Sequence, residues 1–153
     1  MVNGPVLFSE HRMLAVPARH PLADRDTVSL EDLASVRLLQ AARTLPPYGR
    51  AERTPPLTPS GAPIEPGPAF DALQEALSLI GAGQGAWVVG AQVTRYFARP
   101  HVVYVPFDDA PPLEWVPAWL AATPVAAVHA FNKVAQDTAA LLQLATISAD
   151  VGG

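Results

Sequence analysis

The chain has 153 residues, half of them apolar and only 16% charged, which is enough to bury a core and too apolar for intrinsic disorder. Ten basic residues against fourteen acidic ones give a formal net charge of -4. Residues 1–60 carry seven bases and six acids and the remainder three bases and eight acids, so neither part is a basic module able to grip a phosphate backbone. The absence of cysteine excludes disulfide scaffolds, zinc–thiolate sites and thiol nucleophiles.

The opening residues lack a basic n-region, and Glu10, His11 and Arg12 break their apolar run, so no signal peptide is read and a cytoplasmic address is expected. Val6 to Phe8 and Met13 to Val16 read as short strands, the second ended by Pro17. Pro21 biases His20 away from the helical region in the turn-rich stretch His20–Asp26. Ser29 then reads as an N-cap, with Glu31 and Asp32 in the first turn of a short helix. Val36 to Leu39 reads as a strand.

Residues 44–68 hold Pro46, Pro47, Pro55, Pro56, Pro59, Pro63, Pro66 and Pro68. That density predicts a loop, either a surface segment or an ordered lid over a pocket. From Phe70 the apolar residues Phe70, Leu73, Leu77 and Ile80 recur at helical spacing, with Asp71 in the first turn and Gly81 and Gly83 at the end. Ala86 to Val89 is a strand closed by Gly90, Ala91 to Ala98 a helix ending before Pro100, and His101 to Val105 another strand. A turn over Pro106–Pro112 leads to a strand from Leu113 to Leu120 that places Trp115 and Trp119 on one face. Thr123 and Pro124 open a last helix to about Leu144, predicted to bury Val125, Val128, Phe131, Ala135, Thr138 and Leu142. Residues 146–153 are expected to be a disordered tail. The longest apolar stretch, Val116–Phe131, is interrupted by Pro117, Thr123, Pro124 and His129 and falls short of the roughly 20 residues of a membrane span. Strands alternating with helices predict an α/β class with a largely parallel sheet.

Several blocks, taken in order, resemble the effector-binding domain of LysR-type transcriptional regulators. The first is Val6-Leu7-Phe8-Ser9-Glu10 with Leu14-Ala15-Val16-Pro17-Ala18-Arg19-His20-Pro21-Leu22-Ala23, followed by Ser29-Leu30-Glu31-Asp32-Leu33-Ala34. The second is Ala76-Leu77-Ser78-Leu79-Ile80-Gly81-Ala82-Gly83-Gln84-Gly85-Ala86-Trp87-Val88-Val89. Val103-Tyr104-Val105-Pro106-Phe107-Asp108-Asp109, Trp119 and Pro124 to Phe131 continue the match. The resemblance implies a type II periplasmic-binding-protein-like fold, with one complete α/β lobe plus the C-terminal part of the other. It implies a second lobe with its crossovers at about 17–106 and a remnant of the first lobe at 1–16 and 107–145. It further implies a small-molecule effector between the lobes, an anion or carboxylate being one class, and a homo-oligomer, most simply a dimer. DNA would be reached only through a winged helix-turn-helix that this chain lacks. A remnant lobe would leave Trp115, Trp119 and Phe131 short of partners, a pattern that favours association. The other reading is a stand-alone dimerisation module without effector sensing.

Candidate site residues follow from strand ends and turns. Gln40, Arg43 and Thr44 follow the carboxyl end of a strand, where open α/β sheets hold ligands, and Arg43 could pair a carboxylate bidentately or be a solvated loop arginine. Val89, Gly90, Ala91 and Gln92 form a strand-to-helix turn whose free amides suit an anion. In the resembling family this turn faces the ligand and carries proline at the place of Gly90 and often a hydroxyl residue at that of Ala91. Phe107 either lines the site or packs in the core. Gly83-Gln84-Gly85 lacks the third glycine of a dinucleotide loop, because position 88 is Val. His20, Asp24 and Asp26 read as a turn rather than a metal site, and Asp108–Asp109 as a solvated turn rather than an acid–base pair. With no Gly-x-Ser-x-Gly elbow, His-Glu-x-x-His or P-loop, no enzymatic activity, cofactor or metal is expected.

Overall fold

The computed structural model describes residues 2–41, 53–123 and 125–150, with side chains as far as Leu142. In chain order the elements are β1 (Val2–Asn3), β2 (Phe8–Glu10), β3 (Arg12–Pro17), 3-10 helices at Pro21–Asp24 and Leu30–Ser35, β4 (Arg37–Ala41) and β5 (Glu65–Phe70). They continue with α1 (Leu73–Gly81), β6 (Trp87–Gly90), α2 (Gln92–Tyr96), β7 (Val102–Pro106), β8 (Leu113–Trp115), β9 (Ala118–Trp119) and α3 (Val125–Asp150). The chain divides into two compact units, one of Glu10–Pro112 and one of Met1–Ser9 with Leu113–Gly153.

In the larger unit β3 is antiparallel to β6 on one side and to β7 on the other, while β4 and β5 pair in parallel. A parallel bridge between Leu38 and Ala86 sets β4 beside β6. There the Ala86 amide donates to the Arg37 carbonyl at 2.8 Å and the Leu39 amide to the Ala86 carbonyl at 2.9 Å. The resulting order is β5-β4-β6-β3-β7, with β3 alone running against the rest. Successive residues of β3 and β6 point to opposite faces, and both faces are covered. Leu14, Val16, Leu38, Val88 and Val105 lie in one core with Val28 and Phe107. Ala15, Leu39, Ala41, Trp87 and Val89 lie in the other, beneath Ala76, Leu77 and Ile80 of α1. Burial on both sides is the reason these strands read as continuous apolar runs rather than alternating ones.

The proline density predicts a loop throughout 44–68, and here the structure differs. Glu65–Phe70, with Pro66 and Pro68, is a strand that pairs with β4. It carries one extra residue between the pairs Leu38–Pro66 and Gln40–Ala69. A sheet edge and a bulge are the two places where a strand tolerates a missing amide. Residues 42–52 lie outside the described residues. Phe70 ends this strand instead of opening the helix; α1 begins at Leu73, and the Glu75 carboxylate accepts the Asp71 amide at 2.8 Å. The helix closes on Gly83 (φ +77°), with the Gln84 amide donating to Leu79 and that of Gly83 to Ile80, both at 2.9 Å. This is a Schellman motif, in which glycine takes the left-handed position without strain.

The stretch after Ser29 is a 3-10 helix rather than an α-helix. Asp32 accepts from the Ser29 amide at 2.8 Å and from the Arg25 guanidinium at 2.8 Å. Burial raises the pKa of Asp32, and these hydrogen bonds outweigh it and hold the group below its usual value. Glu31, on the same turn, accepts the Ser60 amide and hydroxyl, each at 2.7 Å, which lowers its pKa. A lowered folded-state pKa contributes stability that is present above the unfolded value and is lost as pH falls through the folded one. Ser60→Ala is therefore expected to move the Glu31 pKa upward in an NMR titration and to weaken the acid dependence of unfolding. An unchanged titration would show that the Ser60 hydroxyl does not hold the carboxylate.

In the smaller unit β1 pairs antiparallel with β9 and β2 pairs with β8. The single strand predicted over Leu113–Leu120 is two short ones, because Pro117 interrupts the run between them. Trp115 stacks on Phe8, with ring centroids 5.8 Å apart. Helix α3 continues to Asp150, past the Leu144 end and into the 146–153 tail, no Gly or Pro standing before Gly152 to stop it. Residues 151–153 lie outside the described residues. Its half-buried face is Val128, Asn132, Ala135 and Ala139, whereas Val125, Phe131, Thr138 and Leu142, predicted to be buried, are exposed. The apolar arc of α3 is wider than the surface this unit offers it.

Candidate functional site at one edge of the sheet

Parallel strands β4, β5, β6 and β7 all end at one edge of the larger unit, and antiparallel β3 begins there, with Arg12 opposite Gly90 and Met13 opposite Pro106. The entering segment is held from both sides. The Ala91 amide donates to the His11 carbonyl at 2.9 Å, and the Phe107 amide to the Arg12 carbonyl at 3.1 Å. In open α/β sheets the carboxyl ends of the strands are where ligands are held, because strand-to-helix turns leave amides and loop side chains there.

The centre of this edge is a carboxylate. Glu10, only 9% exposed, accepts the backbone amide of Gln92 at 2.8 Å, a charge-assisted hydrogen bond at the start of α2. Its carboxyl group lies so close against Gly90 that a Cβ at position 90 would fall on it. Arg12, two residues on, is 7% exposed. Glu10 is absent from the residues singled out by the sequence alone. Its signal is the pairing of an acid just before β3 with a glycine where the resembling family has proline.

Among the predicted site residues, Gly90, Ala91 and Gln92 are brought together beside Glu10, with the Gln92 side chain exposed. Gln40 sits near the end of β4, its side-chain amide donating to the Leu38 carbonyl at 2.7 Å. Val89 is fully buried and Phe107 is 7% exposed, each within a core. Arg43 and Thr44 lie outside the described residues.

The other polar candidates hold turns. His20 Nδ1 accepts the Leu22 amide at 3.2 Å, and Asp109 accepts the Leu30 amide at 2.9 Å, capping a 3-10 helix from 79 residues away. Tyr104 donates its hydroxyl to the Phe97 carbonyl at 2.7 Å, tying the end of α2 to β7; burial raises its pKa, against a smaller opposing effect of Arg99. Among the described residues no group of three or more His, Asp or Glu could hold a metal ion, and no helix is long and apolar enough to cross a membrane.

A mixed sheet with one reversed strand, covered on both faces and ending in a cluster of turns, defines a periplasmic-binding-protein-like α/β domain. The chain belongs to the LysR substrate binding domain family, whose model matches residues 3–140. Solved structures agree in fold. HinK, a LysR family transcriptional regulator from Pseudomonas aeruginosa, superposes with a TM-score of 0.66 at 16% identity, over 89% of this chain and 48% of that one. Full-length BenM gives 0.69 at 21% identity, over 91% and 46%. The BenM effector binding domain with its effector benzoate gives 0.58 at 23%, over 80% and 60%. The chain thus spans about half the length of the HinK and full-length BenM chains it matches. No protein of curated function matches it in sequence.

Proposed function

We propose that this chain is the effector-sensing and self-associating part of a cytoplasmic LysR-family transcription regulator, and that it is not an enzyme. A small molecule would be held at the sheet edge by Gln40, Arg43, Thr44, the Val89–Gln92 turn and Phe107. The observation that carries this reading is the family match over residues 3–140, in a fold that gathers four strand ends and the Gly90–Gln92 turn at one edge. Because Val89 and Phe107 are buried and Gln40 is engaged with its own strand, Gln92 is the exposed side chain among the described residues of this set.

A thermal-shift panel of small carboxylates, amides, amines and amino acids, including the benzoate bound by BenM, tests the reading. A ligand specific for the folded state raises the midpoint by mass action. A saturable rise that weakens in Gln92→Ala or Arg43→Ala supports sensing, and the absence of any rise across the panel counts against it.

Self-association is favoured by α3, where Phe131, Val134 and Leu141 are 61%, 64% and 68% exposed and fall on one side of the helix at spacings of three and seven. The double variant Phe131→Ser, Leu141→Ser is expected to weaken association by about tenfold or more, roughly 1.4 kcal/mol or more, in sedimentation-velocity dilution series. Unchanged sedimentation would remove α3 from the interface. The same stripe favours the second reading, an interaction module without sensing, which an oligomer that answers no ligand would support.

A further inference from the structure

An α-helix turns about 100° per residue, so spacings of three and four return to one side of it. Along α3, Ala127, Phe131, Val134, Thr138 and Leu141 follow that spacing, and all five are exposed. Lys133 and Asp137 pair with each other at 3.2 Å beside this stripe, so a partner laid on it buries no unpaired charge. The stripe presents roughly 500 Å² of largely apolar surface, as much as a lone protein commonly leaves open. Two such faces laid together bury about 1,000 Å², the least that a specific interface needs. The steps from Phe131 to Leu141 are three, four and three residues, a pattern that reads the same from either end. A helix so patterned is complementary to its own reverse. About a two-fold axis at the level of Gln136, Phe131 meets Leu141 of a second copy and Val134 meets Thr138.

We propose that a second copy of this chain covers the stripe, with the two α3 helices antiparallel and Phe131 of each set against Leu141 of the other. The inference rests on the self-association proposed above and assigns it a surface and a direction. A parallel pair would stack Phe131 on Phe131 at one level and Thr138 on Thr138 at another, forcing unequal separations along the seam, whereas reversal evens the layers. A parallel pair also aligns the two helix dipoles side by side, and reversal opposes them.

The chain has no cysteine, so Val134→Cys and Thr138→Cys each introduce a single thiol, at exposed positions outside any core. Circular dichroism melts confirm that both variants fold. In a glutathione redox buffer the two variants mixed are expected to form a disulfide-linked dimer at least about fivefold more than either variant alone, because residues 134 and 138 of opposite copies lie level, while like residues stand about 6 Å apart along the axis. Either variant linking to itself as readily as the mixture links would place the helices in parallel and overturn the inference, leaving self-association standing. A wild-type chain that sediments as a dimer, with no cross-link in either variant or the mixture, would also overturn it and move the interface off α3. A wild-type chain that stays monomeric at every concentration would overturn self-association, and this inference with it.

Discussion

Replacing Gly85 with alanine is expected to destabilise the larger unit by roughly 3 kcal/mol, lowering the melting midpoint by about 10 °C. A Cβ at this position would stand 2.5 Å from the Arg37 carbonyl oxygen and 2.9 Å from Leu39 Cδ2. The carbonyl cannot swing aside as a side chain would. It accepts the Ala86 amide at 2.8 Å, half of the bridge that joins β4 and β5 to the rest of the sheet. Alanine must therefore lengthen that bond or displace β4, and Leu38 and Leu39, both fully buried, move with it. Gly83→Ala is the control. Gly83 needs its positive φ of +77°, yet nothing lies within 4 Å of a Cβ placed there, so only the strain of about 1 kcal/mol applies. Circular dichroism melts of the two variants separate lost space from lost backbone freedom. If Gly85→Ala melts no lower than Gly83→Ala, the close approach of the two strands does not govern stability.

The contrast between these two glycines shows what the sequence could reveal. Gly83 was legible because a glycine after Leu73, Leu77 and Ile80 sits where a helix stops, a local pattern with a local cause. The Gly85 contact with Arg37 depends on two strands being brought side by side across nearly fifty residues, which no spacing encodes. Strands β3, β4, β6 and β7 were readable because burial on both faces demands unbroken apolar runs. Strand β5 was not, because Pro66 and Pro68 argue against a central strand and say little about an edge strand with a bulge. The helical period of α3 was visible, but its exposed side was not, since apolar spacing identifies a face without identifying what covers it. The site divides in the same way: Gly90 to Gln92 follow from a turn after a strand, whereas Glu10 reaches that turn across 82 positions.

Gly90→Ala is expected to cost about 2 kcal/mol, a penalty that should depend almost wholly on Glu10. The added methyl meets the far end of a side chain, which in an open setting would rotate away at little expense. Here the carboxylate is 9% exposed and bound to the Gln92 amide, so moving it breaks a charge-assisted hydrogen bond in a buried setting. Glu10→Ala alone removes the same bond and should cost roughly 1–2 kcal/mol. With the acid gone the Gly90 Cβ enters vacated space, and adding Gly90→Ala to Glu10→Ala should cost only a few tenths of a kcal/mol. The coupling energy from urea denaturation of all four proteins is thus expected to be about 1–2 kcal/mol in favour of the native pair, above the limit of roughly 0.5 kcal/mol for independent sites. Additive costs would mean that glycine at 90 answers to backbone conformation rather than to the acid. A coupling of the expected size, obtained with no ligand present, would establish that the Glu10 carboxylate occupies the turn as part of the fold.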